Sequence, residues 1–545
     1  MSSQRVQTRR AEWVAAGLLA VFVLLAGTSA LQHSAVYHER LYIYAGVQNL
    51  RHGVYELGAG TPSGLLQLAA LPLQLMDLDD HAGPPIPPDS YNSLGVRFLY
   101  QNRVPASQIL MAARAPFLAL GVALGLMIFV WARRLYGDAG GLLALGLYVL
   151  SPAMLAHSQF TNQSFGVAAL SLMALYTLWR LCERATGWRV LVAGLVMGGA
   201  QLTKFTATAL LPVSLILVLW KSWTQRASER RPRLAPRLLA LATVWAIAGL
   251  VVWADYRFEV GAVADAQDQL VVAHGPFHTD SVCPIAAGLG AWVVPAPHYW
   301  CGLSSQLLHG TIGHENYLAG EYSSQGWWYY YLITLLYKVP VPVLIFFAVR
   351  VVTALRERLN GVRASEAPFL LLFPGLILLV FSMSATQLGE RYILAVYPPL
   401  FVWLGGLASS GLRAPWTRVA GGLLCGWLLL GTLWIHPHHL MYFNEIAGGP
   451  TRGWKTIVAG YDLGQDVGNL ERYVRDRDIS SIAVACQGCE WRGVLELPQQ
   501  PLPCRPTTGY VAVSVYKRLE RCFTWLDAHE PIDHVGYSIL IYRIP

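Results

Sequence analysis

Charge is scarce in this chain. Only 13% of its 545 residues are Asp, Glu, Lys or Arg, whereas 54% are hydrophobic. A soluble domain would carry about 25% charged residues, so a water-soluble globule is excluded and a polytopic membrane protein is implied. Acids are nearly missing from the apolar stretches and no internal repeat relates one half to the other, which argues against an ion-coupled transporter. No low-complexity tract occurs. The first apolar stretch is too long for a removed signal peptide and lacks a small-residue cleavage site, so it reads as a retained helix. Cysteine is also sparse, at eight residues. Cys486-Gln487-Gly488-Cys489 has the spacing of a redox or zinc motif, but no second pair at ligand spacing accompanies it, and no metal site is expected there.

What is present is hydrophobic length. Stretches able to cross a bilayer fall at about 12–31, 112–133, 139–156, 165–182, 189–203, 205–221, 237–254, 328–349, 367–385, 391–410 and 417–435. The expected fold class is therefore an all-α polytopic membrane bundle of about eleven transmembrane helices, with Lys204 interrupting the stretch 189–221. Basic residues mark one side of it: Arg5, Arg9 and Arg10, then Arg133 and Arg134, Arg180 with Arg184 and Arg189, Lys221 to Arg237, Arg350 to Arg363, and Arg413 with Arg418. Positive residues collect at cytoplasmic ends, so the N-terminus is expected in the cytoplasm. The net charge of +8 is then an insertion and headgroup signal, and no nucleic-acid partner is implied.

The outward segments are a loop at 32–110, a turn near 157–164, a loop at 256–327 and a tail at 436–545. On this topology all fifteen His and six of the eight Cys face outward. Cys283 and Cys301 share one loop and are the expected disulfide; Cys486, Cys489, Cys504 and Cys522 share the tail, with their connectivity open. Cys182 and Cys425 read as packing residues. In the tail, Ser480–Ala485, Gly509–Tyr516 and His534–Ile544 read as strands, while Gly464–Arg477 and Lys517–His529 have helical spacing. The domains expected are thus 1–435, a transmembrane unit, and 436–545, a separate small extracytoplasmic α/β domain.

The first outer loop is the most informative segment. Glu39–His52 and Ser63–Met76 have the apolar spacing of helices lying along a membrane surface. The loop opens with Tyr37-His38-Glu39, then Tyr42 and Gly46, and closes with Leu71-Pro72-Leu73. Ala113-Arg114-Ala115-Pro116, Arg133-Arg134-Leu135-Tyr136-Gly137, Ser151-Pro152 to Ala156-His157 and Thr203-Lys204-Phe205-Thr206 follow in order. Farther on stand Gly313-His314-Glu315-Asn316-Tyr317, Gly326-Trp327-Trp328, Lys338-Val339-Pro340, Arg391-Tyr392, Tyr442-Phe443-Asn444-Glu445 and Asp462-Leu463-Gly464-Gln465-Asp466. In this order the pieces resemble those of the glycosyltransferase family 39 proteins, relatives of the protein O-mannosyltransferases and of the lipid A aminoarabinose transferase.

The resemblance covers nearly the whole chain and implies a C-type glycosyltransferase fold, an outward-facing site and a polyprenyl-phosphate sugar donor. In such enzymes a first-loop Asp takes the proton of the acceptor hydroxyl, while cationic groups, and in some members a divalent metal, hold the departing lipid phosphate. The departures are specific. The family's first Asp is His38 here, its following His is Tyr42, and its His-Pro-Pro segment is Thr61-Pro62-Ser63. A second expected acid falls on Gln163 or Ser164.

His38 reads either as an imidazole base standing in for the carboxylate or as a tolerated surface residue in a disused site. Glu39 reads either as a catalytic acid beside it or as a solvated carboxylate paired with Arg40 or His38. Asp79, Asp80 and Asp89 read as solvated loop acids. Lys204 and Arg391 are the expected phosphate holders, with Arg114, His157, Tyr42, Gln163 and His314 as further binding candidates. His436, His438 and His439 carry no carboxylate nearer than Glu445, so they read as an interfacial boundary and no metal ligand is expected among them. The expected function is transfer of a sugar from the lipid-phosphate donor, with inversion, to an acceptor on the outer face of the inner (cytoplasmic) membrane: a lipid, glycan or protein of the cell envelope. The alternative is a catalytically degenerate relative that binds lipid-linked sugar or scaffolds an envelope assembly.

Overall fold

The computed structural model describes the chain apart from Met1, Ala59, His314 and residues 81–90, 226–233, 275–282, 361–365, 412–413, 458–459 and 490–497. Among the described residues, six helices are long and apolar enough to cross a membrane: Arg9–Gln32, Ala106–Val149, Gln163–Glu183, Phe205–Thr224, Leu234–Asp255 and Pro415–Ile435. A seventh is formed if Tyr330–Lys338 and Val341–Leu359, bent by 116°, are taken as one span. All eleven expected stretches fall on helical segments, but the count of eleven spans is not reproduced by length and composition.

Backbone chemistry accounts for the difference. The stretch at 328–349 breaks because Pro340 has no N–H to continue a helix and holds Val339 extended at φ −79°, ψ 131°. Ala367–Ser382 is only 16 residues long, and 391–410 opens as short 3₁₀ turns before Tyr397–Leu404. The segment Ala106–Val149 contains Gly137 at φ 79°, ψ −177°, where one helix ends and the next begins. Arg133 pins this corner by donating to Asp138 at 2.6 Å and to Glu12 at 3.2 Å.

Small residues let the helices approach closely. A Cβ on Gly121 would lie 2.5 Å from Phe22, and one on Gly125 would lie 2.7 Å from Leu19, so the first helix (α1, Ser2–Gln32) packs directly on this face. Gly194 and Gly198 receive Ile247 and Val251 in the same way.

The first outer loop forms the helices α2 (Glu39–His52) and α3 (Gly64–Ala70), the latter followed by a 3₁₀ turn at Pro72–Leu75. The expectation of helices lying on the membrane surface is corrected for α2. Leu41, Ile43, Tyr44, Ala45, Val47 and even Gln48 and Asn49 are buried in it, so protein covers most of its circumference. Gly46 makes the approach to α3 possible, because a Cβ there would sit 2.0 Å from the Leu66 carbonyl oxygen.

The second outer loop holds two small hairpins, β1 (Val260–Ala262) with β2 (Val293–Pro295), and β3 (Asn316–Leu318) with β4 (Glu321–Ser323). Cys283 is bonded to Cys301. In the tail, Cys486 is bonded to Cys489 and Cys504 to Cys522, while Cys182 and Cys425 are free thiols.

The tail contains a mixed five-stranded sheet of β5 (Ile482–Ala485), β6 (Gln499–Pro501), β7 (Gly509–Ser514), β8 (Asp533–Val535) and β9 (Ile539–Ile544), in the order β6-β5-β7-β9-β8. The stretch expected as one strand over 534–544 is a hairpin, turned at Gly536 and Tyr537, whose φ values are 59° and 61°. Alternate residues serve opposite faces. Ile539 and Ile541 pack with Val467, Leu470 and Val474 of the Val467–Asp476 helix. Leu540 and Tyr542, with Val511 and Val513, join the hydrophobic core that continues through Tyr461, Trp454 and Phe443 into the bundle. The tail is thus not separate in its packing, since it shares its core with the helices.

Candidate active site

Glu39 opens α2, and its carboxylate is fully buried. Arg114 donates to it twice, Nε to Oε1 at 2.9 Å and Nη2 to Oε2 at 2.7 Å. The backbone N–H groups of Thr161 and Val36 donate to the same two oxygens at 3.0 and 3.2 Å. Arg114, 1% exposed, spends its remaining donors on the carbonyls of Ala30, His33 and Ser34 at 2.7 to 2.9 Å. A carboxylate ringed by four N–H donors has no free oxygen for a hydroxyl proton, and a guanidinium so occupied has none for a phosphate. The structure therefore revises two expectations: Glu39 is not paired with Arg40 or His38, and Glu39 and Arg114 form a clamp that fixes the first-loop entry.

His38 is placed differently. Its side chain is exposed, edge-on to Tyr37 at 5.0 Å and stacked with Tyr42 at 5.7 Å between ring centroids. Surface open to water and dense surroundings coexist because protein walls rise around it. That desolvation, and then the charges of Arg391 and Arg40, hold its pKa below the usual histidine value, so the imidazole is neutral near pH 7.

Two cations converge nearby. Lys204 lies in extended backbone, φ −159° and ψ 142°, between the Gly187–Gln201 helix and a 3₁₀ turn. Its Nζ donates to Ser164 Oγ at 3.2 Å and stands 4.1 Å from the centre of the Tyr392 ring. Arg391, from the turn Glu390–Tyr392, has its guanidinium 5.7 Å from the same ring. Its Nε is buried without a hydrogen-bond partner among the described residues. His157, 1% exposed, is 2.7 Å from the Asn162 amide nitrogen. Burial, followed by the charges of Lys338, Arg391 and Lys204, lowers its pKa to about 3. The charge of Arg391 acts on His38, His157 and Lys204 alike, so these four groups lie near one another.

The remaining candidates fall elsewhere. Gln163 donates to Thr61 Oγ1 at 2.6 Å, tying the start of its helix to the first loop. His314 and Asp89 lie outside the described residues. Asp80 pairs with Arg51 and with His52, as a loop acid does, while the backbone N–H and carbonyl of Asp79 bond the Asn102 amide. Sequence reasoning missed Tyr392 as the ring between the two cations, and Ser164 as the partner of Lys204. The Arg391-Tyr392 pair was visible as a motif, but nothing in it signalled that Lys204 would come to the same ring.

Among the described residues, no group of three His, Cys, Asp or Glu side chains at metal-ligand spacing includes a residue beside Lys204 and Arg391. The two family acids fall on His38 and on Gln163 or Ser164, and the Lys204 ammonium already contacts Ser164. A largely apolar cavity of about 1410 Å³ is lined by Leu332, Val343, Phe347, Leu371 and Tyr397, and also by the charged Lys221, Arg350 and Arg358. It reaches Val339 and Val396, close in sequence to Lys338 and Arg391.

No curated protein matches this chain as a sequence relative. Residues 107–253 match the sequence model of a family described as dolichyl-phosphate-mannose-protein mannosyltransferase. Among solved structures, ArnT from Cupriavidus metallidurans bound to undecaprenyl phosphate is similar, with a TM-score of 0.53 at 12% identity, covering 97% of this chain and 98% of that one. The apo state of the same protein gives 0.50 at 13% identity, over 97% and 98% of the two chains. At such identities the likeness is one of fold. The chain is thus an integral membrane protein that shares its fold with ArnT and carries a mannosyltransferase-family match over residues 107–253.

Proposed function

We propose that this protein is a membrane glycosyltransferase that moves a sugar from a polyprenyl-phosphate carrier to an acceptor of the cell envelope at the outer face of the inner membrane. The observation that carries the reading is the convergence of Lys204 and Arg391 on Tyr392, with a buried Arg391 N–H left unpaired, beside a neutral His38. Cations and free donors at one point suit a phosphate on which negative charge develops as the sugar leaves. An imidazole lacking a proton has the lone pair that the attacking hydroxyl needs, but with its pKa lowered to about 3 it is a weak base, and the negative charge of the bound donor phosphate must raise that value before it takes the proton. The acceptor oxygen bonds to the anomeric carbon of the sugar as its proton passes to His38, the bond from that carbon to the phosphate oxygen breaks, and the polyprenyl phosphate departs as an anion. The largely apolar cavity supports a hydrocarbon-tailed donor, since its lining suits a prenyl chain. His38 acts without Glu39 in this scheme. Attack from the face opposite the leaving phosphate gives inversion at the sugar carbon. The lipid, glycan or protein that accepts the sugar is the acceptor still to be assigned.

The second reading, a silent relative that binds lipid-linked sugar or scaffolds an envelope assembly, has one observation in its favour. Lys204 donates to Ser164, one of the two positions, Gln163 or Ser164, on which the resemblance places an acid. Purified protein in lipid nanodiscs, supplied with polyprenyl-phosphate mannose, glucose or aminoarabinose and an envelope extract, separates the two. Active transfer releases free polyprenyl phosphate, and His38→Ala abolishes the release. Tight donor binding without release from any of the three donors establishes the silent relative instead.

A further inference from the structure

Three side chains from distant parts of the chain meet behind the Glu39–Arg114 clamp. His33 follows α1, His438 lies just past the Pro415–Ile435 helix, and Asp466 precedes the Val467–Asp476 helix of the tail. His33 Nε2 is 3.4 Å from His438 Nδ1, His438 Nδ1 is 3.5 Å from Asp466 Oδ1, and His33 Nε2 is 4.0 Å from that oxygen. Ligands around a tetrahedral ion with bonds near 2.1 Å lie about 3.4 Å from one another. Among the described residues this is the one group of three His, Cys, Asp or Glu side chains at such spacing.

The surroundings orient each ligand atom inward. His33 Nδ1 is 3.0 Å from Gln159 Oε1, so the proton belongs on Nδ1 and the lone pair of Nε2 faces His438 and Asp466. The Asp466 carboxylate accepts from Ser538 Oγ at 2.6 Å and from Asn469 Nδ2 at 2.7 Å. It is also set against Gly536, where a Cβ would come within 2.1 Å of the carboxylate carbon. Side chains of His33 and Asp466 are fully buried and that of His438 is 22% exposed, which leaves one side of the group open.

We propose that His33, His438 and Asp466 bind a divalent transition-metal ion, zinc by the nature of this two-nitrogen, one-oxygen set, with water in the fourth position. The ion ties the tail to the ends of the first and last membrane-spanning helices. The sequence reading set the His436–His439 cluster aside for want of a nearby carboxylate. Asp466 supplies it from 28 positions beyond His438, at a distance only the fold removes. This site shares no residue with the proposed transfer chemistry and stands whether or not the protein is a transferase.

The test uses full-length, tag-free protein in detergent, stripped with a chelator and dialysed against zinc. About one zinc per chain is expected by mass spectrometry, with less than about a tenth of that in Asp466→Asn or His33→Ala. Zinc should raise the thermal midpoint of the wild type and leave that of Asp466→Asn unchanged. Where those variants do not fold, His438→Cys loaded with cobalt keeps the proposal testable. A thiolate-to-cobalt charge-transfer band, absent from the cobalt-loaded wild type, shows that position 438 is a ligand. Wild-type protein that retains no zinc, zinc content equal in wild type and Asp466→Asn, or a cobalt spectrum unchanged by His438→Cys would each overturn it.

Discussion

Replacing Glu39 by Gln separates a structural acid from a catalytic one. In the native protein its two oxygens accept four N–H bonds, two of them from Arg114, and both side chains are almost wholly buried. An amide of the same shape keeps one acceptor oxygen and turns two hydrogens toward groups that are themselves donors. It also leaves the Arg114 charge buried, with only the carbonyls of Ala30, His33 and Ser34 for company. Removing one member of a buried ion pair costs about 3–5 kcal/mol, because the other is left uncompensated. In a chain longer than most single domains each kcal/mol moves the midpoint by a degree or two, so a fall of about 3–10 °C is expected. The assay is the thermal midpoint in detergent by tryptophan fluorescence at a fixed scan rate, run beside donor turnover at a temperature where the variant is still folded. Under those conditions the folded variant should retain transfer. A Glu39→Gln protein as stable as wild type but unable to release polyprenyl phosphate would refute the clamp and restore Glu39 to the chemistry.

Three further outcomes are expected. Since desolvation, Arg391 and Arg40 lower the pKa of His38, its neutral form is complete at pH 7 and is lost only as pH falls through the lowered value. The pH dependence of kcat/KM, which follows the donor-free protein, should therefore show no acid limb between about pH 6 and 7, and a limb centred there contradicts the lowered pKa of His38. Arg391→Gln and Lys204→Gln should each weaken binding of polyprenyl phosphate by about 1.5–3 kcal/mol, the worth of a charged hydrogen bond, read by titration calorimetry; unchanged affinity in both removes the phosphate site. Gly46→Ala drives a Cβ against the Leu66 carbonyl, backbone on backbone, and should lower the thermal midpoint by the equivalent of about 1–3 kcal/mol. An unshifted midpoint means that α2 and α3 do not meet there.

Helical segments were legible along the chain because hydrophobic length is a local property, and α2 begins and ends where its apolar spacing does, at Glu39 and His52. The break at Pro340 was also written locally, in a residue without an N–H, although a window of hydropathy passes over it. The strands of the tail were visible as β-branched runs, but the last of them folds back at Gly536, a turn the apolar count did not register. The candidate site was half legible. Lys204 and Arg391 stand out as cations at the ends of apolar stretches, whereas their meeting at Tyr392 joins positions nearly two hundred residues apart.

Composition and periodicity alone therefore determined a membrane bundle with long connecting loops and a mixed tail, since burying apolar surface in lipid constrains each segment separately. Which polar groups touch was decided only by the tertiary structure. Glu39 finds Arg114 across 75 positions, Lys204 finds Ser164 across 40, and His33 finds Asp466 in the tail. The physical reason is that a buried charge must be matched by a partner, and the sequence records which partners exist but not which of them packing brings within 3 Å.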